Sequence, residues 1–137
     1  MKKITQLLLD CTILILLLQS CESQKVVVNR EVESAENGKM LLGHQTKSQL
    51  LKEPYSEWYV KEHDEYSIDQ NAMAELKKEK LSSYSITVVM GTWCGDSHRE
   101  VPRFFKILEE VKHPESKLTI ITVNRKKEAP NGEEGPL

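Results

Sequence analysis

The sequence around Trp93 and Cys94 reads Ile86-Thr87-Val88-Val89-Met90-Gly91-Thr92-Trp93-Cys94-Gly95-Asp96-Ser97-His98. Its first part belongs to a β-branched run from Ser85 to Met90, which predicts a strand. Because apolar side chains occupy consecutive positions there, we expect this strand to be buried on both faces. Beyond it, apolar residues recur at i, i+3, i+4 and i+7, the pattern of an amphipathic helix, at Val101, Phe104, Phe105 and Leu108. The helix should end near His113-Pro114.

Two further elements complete the pattern. Ser67-Ile68-Asp69-Gln70 has the form of a capping box, and apolar residues every four positions predict a helix from there to about Leu81. A second apolar run predicts a strand from Leu118 to Val123. The order helix, strand, helix, strand is that of a βαβ unit with a preceding helix, so we expect an α/β fold with a parallel strand pair.

The region from Met40 to Tyr66 is polar but carries four aromatic residues, Tyr55, Trp58, Tyr59 and Tyr66. Pro54 should end a short helix that begins near Lys47. We expect the four rings to cover one side of a core, and a ligand platform is the alternative.

The first twenty residues have the pattern of a targeting segment. Lys2 and Lys3 form a basic start, and the apolar run that follows is too short for a membrane-spanning helix, so residues 1–20 are predicted to be a signal peptide. Leu18-Gln19-Ser20-Cys21 then resembles a bacterial lipobox, in which cleavage leaves the cysteine as the lipid-bearing first residue. A simple secretory signal or an uncleaved anchor, with an incidental Cys21, is the alternative.

After Cys21, residues 21–39 read as a tether. They are largely polar and show no sustained period, apart from Val26-Val27-Val28, which we interpret as a candidate edge strand.

Composition excludes several classes of protein. The chain has 137 residues, of which 19 are Lys or Arg and 21 are Asp or Glu, for a net charge of -2. This balance lacks the basic excess of a nucleic-acid binder. Three cysteines and four scattered histidines do not have the spacing of a zinc site, so we predict no metal, and no glycine loop indicates a nucleotide cofactor.

Cys94 is the candidate nucleophile. A thiol at the start of a helix faces unpaired backbone N–H groups and the positive end of the helix dipole, which favour the thiolate. Ser97, three residues on, could donate a hydrogen bond to the sulfur, and a protonated His98 could help. The Asp96 carboxylate opposes both effects. The alternative is an inert cysteine packed in the core.

The segment Val88-Val89-Met90-Gly91-Thr92-Trp93-Cys94-Gly95-Asp96-Ser97 resembles the redox-motif region of thioredoxin-like proteins, where a hydrophobic strand runs into Trp-Cys-x-x-Cys. Pro102, eight residues after Cys94, matches the helix-kinking proline of that family. The run through Arg99-Glu100-Val101-Pro102-Arg103-Phe104 is most similar to envelope thioredoxin-family proteins of Bacteroidetes-type bacteria. The resemblance covers roughly residues 40–128. It implies catalytic roles for Cys94 and Ser97, supported by Trp93, Gly95, Asp96, His98 and Pro102.

The chain departs from the thioredoxin-like pattern in two ways. Position 97, which often carries a resolving cysteine in the family, is Ser97, so a mixed disulfide on Cys94 has no internal thiol to release it. A complete thioredoxin fold also continues beyond Val123 with an antiparallel half, whereas residues 124–137 are a polar tail. Residues 40–137 are therefore expected to form a partial thioredoxin-like fold whose antiparallel C-terminal half is missing. A minimal domain completed by a partner is the alternative.

These features predict a thiol/disulfide-handling lipoprotein of the cell envelope, anchored through Cys21 and facing the periplasm. As an enzyme it would be a thiol-disulfide oxidoreductase of monothiol, Cys-x-x-Ser type, with thiol or disulfide proteins or small thiols as partners and no nucleic acid. A non-catalytic binding or scaffold lipoprotein that keeps the fold, and an inactive fragment, are the alternatives.

Overall fold

A computed structural model describes residues 26–35 and 38–135 of the chain. It is an α/β structure with a four-stranded mixed sheet and four helices. The strands are β1 (Arg30–Ser34), β2 (Gly38–Gln45), β3 (Ile86–Met90) and β4 (Leu118–Thr122), and the helices are α1 (Lys47–Leu50), α2 (Ser56–Glu65), α3 (Gln70–Leu76) and α4 (Gly95–Glu110). The expected signal peptide and Cys21 lie outside the described residues. Within those residues, no helix combines the length and the hydropathy needed to cross a membrane.

The four strands are arranged in the order β1-β2-β4-β3. β3 and β4 are parallel, with Ile86 opposite Leu118, as the βαβ pattern predicts. β2 runs antiparallel to β4, with Gly43 opposite Thr122, and β1 runs antiparallel to β2. β3 is therefore the outer strand on one side of the sheet. The structure bears out the predicted α/β class.

The tether prediction is wrong for the part of residues 21–39 that forms β1 and the start of β2. Val26–Val28, the candidate edge strand, precedes β1, and its side chains are exposed. The sequence pattern does not predict β1 because its residues, Arg-Glu-Val-Glu-Ser, are mostly exposed on both faces. Such a strand is held by main-chain pairing with β2 and shows no hydrophobic period. The sheet thus contains antiparallel strand pairs, β1 with β2 and β2 with β4. They are formed by strands that precede β3 in the chain, whereas the antiparallel half of a complete thioredoxin fold would follow β4.

The prediction of a β3 buried on both faces is also wrong. Ile86 and Val88 pack against the core, but Thr87 is exposed and Val89 is only partly buried. The reason is the position of β3 at the outer edge of the sheet, where even the core-facing Ile86 and Val88 are only partly buried.

The helix predicted from Ser67 to Leu81 is shorter and begins later. Its N-cap is Asp69, whose carboxylate accepts hydrogen bonds from the backbone N–H groups of Asn71 (2.8 Å) and Ala72 (3.0 Å). Ser67 does not cap it. The helix ends at Leu76 because the following Lys77-Lys78-Glu79-Lys80 offers no apolar side chain to bury.

The aromatic region folds into α2, a helix that the sequence pattern did not predict. Tyr55 and Tyr59 are buried and Trp58 packs partly against the same core, as expected for rings that cover one side of it. The helix was missed because its apolar positions are filled by Tyr and Trp, and because Val60 faces solvent. Their burial favours the core interpretation over the ligand platform.

Helix α4 carries the predicted apolar side, with one exception. Val101, Phe105 and Leu108 are buried, whereas Phe104 is 36% exposed and does not join the core. Pro102 lies inside the helix and is fully buried. The core joins the sheet to α1, α2 and α4 through nine buried residues, Leu41, Leu50, Tyr55, Tyr59, Met90, Val101, Phe105, Leu108 and Ile120.

The polar residues after β4 turn back over the sheet. A 3-10 turn at Pro130–Gly132 packs against Gly43 of β2, whose φ is +83°. A Cβ atom at Gly43 would lie 2.9 Å from Glu133 Oε2 and 3.3 Å from Pro130 Cδ. Only glycine fits this combination of a left-handed backbone and a close neighbour.

Candidate functional site

The candidate nucleophile lies between the end of β3 and the start of α4. Cys94 occupies the N-cap position of α4, with extended backbone angles, and its carbonyl accepts the first helical hydrogen bond from the N–H of His98 (3.0 Å). The Cys94 N–H donates to the Gly91 carbonyl (3.0 Å), which closes a tight turn after the strand. The thiol is free and partly exposed. This is the strand-to-helix junction that the sequence predicts.

The surroundings of Cys94 lower the pKa of its thiol. The largest cause is the backbone N–H of Ser97, and the backbone N–H of Asp96 and the Ser97 hydroxyl act in the same direction. Partial burial and the Asp96 carboxylate oppose them. The sulfur forms no regular capping hydrogen bond in the first turn of α4, so these are weak contacts that add up. At neutral pH they enrich the thiolate, the form that attacks disulfides.

Ser97 connects the start of α4 to the end of β3. Its Oγ accepts a hydrogen bond from the Gly91 N–H (3.4 Å), while its hydroxyl proton remains available to the sulfur. The structure thus brings Cys94 and Ser97 together, as expected for residues one helical turn apart.

Trp93 packs across the turn onto the neighbouring strand. Its indole Nε1–H donates to the Val123 carbonyl (2.9 Å), just beyond the end of β4. The indole also lies against Gly91, where a Cβ atom would come within 2.6 Å of Trp93 Cε2. The Trp93 ring also contacts Arg125, whose guanidinium lies 5.3 Å from the ring centroid. Gly91, Val123 and Arg125 were not among the predicted site residues.

His98 contacts the loop before Cys94 and the Trp58 ring of α2. Its Nε2 lies 2.8 Å from the Thr92 carbonyl oxygen, and since a carbonyl can only accept, this nitrogen carries the proton. The imidazole stacks on Trp58, with ring centroids 4.3 Å apart and planes inclined by 9°. The Thr92 hydroxyl oxygen in turn accepts from the Leu41 N–H (3.1 Å). His98 therefore uses Nε2 to hold the loop before Cys94 and does not direct that nitrogen at the thiol.

The other predicted supporting residues lie along α4. Asp96 is exposed and pairs with Arg99, whose Nη2 lies 3.3 Å from Asp96 Oδ1. Gly95 has open space where a side chain would be. Pro102 is buried two turns further along the helix and contributes to packing.

Sequence reasoning missed Trp58 and Thr92 as parts of this site. Trp58 comes from α2, and Thr92 reaches β2 through its hydroxyl, so neither contact has a local signal. The aromatic cluster that includes Trp58 was the available hint.

Other features of the described residues lie apart from Cys94. A depression of about 560 Å³ runs along α2 between Glu53 and Glu65 and does not include the thiol. Within residues 26–35 and 38–135, no group of three His, Cys, Asp or Glu side chains could hold a metal ion.

No protein-family model matches the chain, and comparisons with curated proteins and with solved structures found no match.

Proposed function

We propose that the chain is a thioredoxin-like, thiol/disulfide-handling lipoprotein of the cell envelope that acts through Cys94. The observation that carries this proposal is the placement of a free, partly exposed thiol at the N-cap of a 16-residue helix. This position lies at the carboxyl ends of two parallel strands, the edge where α/β proteins bind their ligands. The lowered pKa of the thiol supports the same conclusion.

The reaction is a thiol-disulfide exchange in two steps. The Cys94 thiolate attacks one sulfur of a disulfide R–S–S–R′, so that a Cys94–S–S–R bond forms and R′–S⁻ leaves. Ser97 cannot release this adduct, because a hydroxyl is not a nucleophile toward disulfides at neutral pH. A second thiolate, R″–S⁻, therefore attacks the R sulfur of the adduct. This step forms R–S–S–R″ and releases the Cys94 thiolate. No electrons are gained or lost overall.

The first test measures alkylation of Cys94 by iodoacetamide against pH. Trypsin isolates Cys94 in the peptide 81–99, while Cys11 and Cys21 share the peptide 4–25, so mass spectrometry can follow Cys94 in the full chain. Because only the thiolate reacts, we expect the rate to reach its plateau at lower pH in the folded chain than in urea, where the thiol pKa should be about 8.5. Cys94→Ser removes the labelling of this peptide.

Two variants separate the causes of the lowered pKa. Asp96→Asn removes the opposing carboxylate and should lower the pKa of Cys94 further, whereas Ser97→Ala removes a hydroxyl donor and should raise it. Since charge effects at a helix end amount to about 0.3–1 kcal/mol, each change should alter the alkylation rate near neutral pH by about two- to fivefold. A folded wild-type chain whose rate profile matches that in urea would instead support the scaffold function.

The second test concerns turnover. Without a resolving cysteine, the adduct of Cys94 with a small disulfide should persist until an external thiol is added. Reduction of insulin should accordingly be slow, and Ser97→Cys should accelerate it. If Ser97→Cys folds but gains no activity, the oxidoreductase function is contradicted.

The anchor requires its own experiment, because Cys21 lies outside the described residues. We expect a mature chain that begins at Cys21 and partitions with membranes, and Cys21→Ala should release it into the soluble fraction. Mass spectrometry of the mature N-terminus distinguishes the lipid-modified cysteine from an unmodified chain that starts elsewhere, which would contradict the proposal.

A further inference from the structure

The loop after β4 lies beside the turn that carries Cys94. The Val123 N–H donates to the Met90 carbonyl (2.9 Å), and the Val123 carbonyl accepts from the Trp93 indole (2.9 Å). These two hydrogen bonds join the ends of β3 and β4 at the carboxyl edge of the parallel pair. Residues 124–128 therefore begin next to the residue that precedes the thiol.

This loop carries three consecutive cations, Arg125, Lys126 and Lys127, which are exposed. Within residues 26–35 and 38–135, none of the three forms an ion pair. The carboxylate in the same loop, that of Glu128, accepts a hydrogen bond from Asn124 Nδ2 (3.2 Å). The Arg125 guanidinium instead lies over the Trp93 ring. A cation–π contact holds the guanidinium in place without neutralising its charge or using its N–H donors.

Hydrogen bonds within the loop brace the backbone that carries these cations. Asn124 Oδ1 accepts from the N–H groups of Lys126 (2.8 Å) and Glu128 (3.1 Å), and the Asn124 N–H donates to the Glu128 carbonyl (2.9 Å). Arg125 and Lys126 line an open depression of about 220 Å³ together with Met40, Asn124 and Glu128. A cation on such a braced loop selects ligands better than one on a mobile chain, because less ordering is needed on binding.

Two carboxylates lie close in sequence to this loop or to Cys94, and each has a partner of its own. Asp96, in the first turn of α4, pairs with Arg99, and Glu128 is bonded to Asn124. The pKa of Cys94 is lowered chiefly by the backbone of α4, so removing Arg125 should leave the thiol's own nucleophilicity intact.

From this geometry we propose, on the basis of the function proposed above, that Arg125 makes Cys94 selective for anionic thiols and disulfides. The substrate class is a disulfide, or its thiol, with a carboxylate or sulfonate close to the sulfur. While the Cys94 thiolate attacks the sulfur, Arg125 binds the anionic group through its N–H donors, and Lys126 adds to the local positive potential.

The experiment uses methanethiosulfonate reagents, CH₃SO₂–S–R, in which R is anionic, neutral or cationic. In each case the Cys94 thiolate forms Cys94–S–S–R and releases the same leaving group, CH₃SO₂⁻, so rate differences report the charge of R. With 2-sulfonatoethyl, methyl and 2-(trimethylammonium)ethyl reagents on the full chain, we expect the wild type to favour the anionic over the cationic reagent. Labelling is followed on the peptide 81–99.

Arg125→Gln should reduce this preference, measured as the ratio of the anionic to the cationic rate within the same variant, about three- to tenfold. Arg125→Lys should keep most of the preference, since the charge remains. Lys52→Gln is the matched control, because it also removes one exposed cation but lies in the turn between α1 and α2, outside the loop 124–128. High salt should weaken the preference in the wild type, because the Debye length falls to about 3 Å at 1 M.

The outcomes separate the two proposals. If Arg125→Gln remains folded and retains the full preference, selection by Arg125 is refuted while the thiol function stands. If Cys94 in the wild type reacts with the neutral reagent no faster than in urea at neutral pH, the proposed function fails. Equal loss of preference in Lys52→Gln would show a general charge effect and would also refute the assignment to Arg125.

Discussion

At the residue scale, Trp93 is the side chain that joins the thiol turn to the rest of the site. It donates to Val123, lies under the Arg125 guanidinium and packs against Gly91. This packing requires a glycine at position 91 for reasons of space, since a methyl group there would overlap the indole.

Gly91→Ala should therefore displace the Trp93 ring. A Cβ atom 2.6 Å from Cε2 forces the indole or the backbone to move, and overpacking of this kind costs about 1–3 kcal/mol. We expect a lower urea midpoint and altered tryptophan fluorescence. Gly95→Ala is the matched control, because a Cβ atom there meets no other atom within 4 Å. Equal stability of the two variants would contradict this account of Trp93.

At the element scale, the site depends on how α2 and α4 pack. Arg103 of α4 donates to Glu62 Oε2 of α2 through Nε (3.0 Å) and Nη2 (2.6 Å), and both side chains are partly buried. The Arg103 guanidinium also lies 5.6 Å from the Tyr66 ring centroid. Together with the stacking of Trp58 on His98, these contacts hold the first half of α4 against α2.

The cap of α3 provides a test at the same scale. Asp69→Ala removes two hydrogen bonds to the first turn and should lower the free energy of unfolding by about 0.5–2 kcal/mol. Ser67→Ala should change it by much less, because Ser67 does not cap the helix. Urea denaturation followed by circular dichroism measures both values. A larger decrease in the free energy of unfolding for Ser67→Ala than for Asp69→Ala would show that Ser67 caps the helix, as the capping-box pattern predicts.

At the scale of the whole molecule, one core joins the sheet to α1, α2 and α4. Phe105 is 1% exposed within this core, whereas its neighbour Phe104 is 36% exposed. Phe105 thus lies on the buried side of α4, and Phe104 lies on its more exposed side.

Phe105→Ala should cost about 3–5 kcal/mol, the range for an aromatic residue removed from a packed core. Because a domain usually has only about 5–15 kcal/mol of stability, this variant should have a much reduced urea midpoint or fail to fold. Phe104→Ala should retain most of the stability. Similar losses in both variants would show that α4 is rotated relative to the orientation described here.

The elements with local signals can be predicted from the sequence. β3, α4 and β4 could be predicted because their apolar residues follow one another at the spacing of a strand or a helix, and the parallel pairing of β3 with β4 follows from their order. The position of Cys94 at the start of α4, beside Ser97, is local in the same sense, since it depends only on where the strand ends and the helix begins.

Contacts between residues far apart in the chain depend on how whole elements pack. β1 and β2 join the sheet through main-chain pairing that leaves no hydrophobic period in a strand as exposed as Arg30–Ser34. His98 stacks on Trp58, and Arg125 lies over Trp93, because the packing of α2 on α4 and of β4 on β3 brings these segments together. Such contacts depend on the positions of whole elements in space, which residue spacing along the chain does not encode.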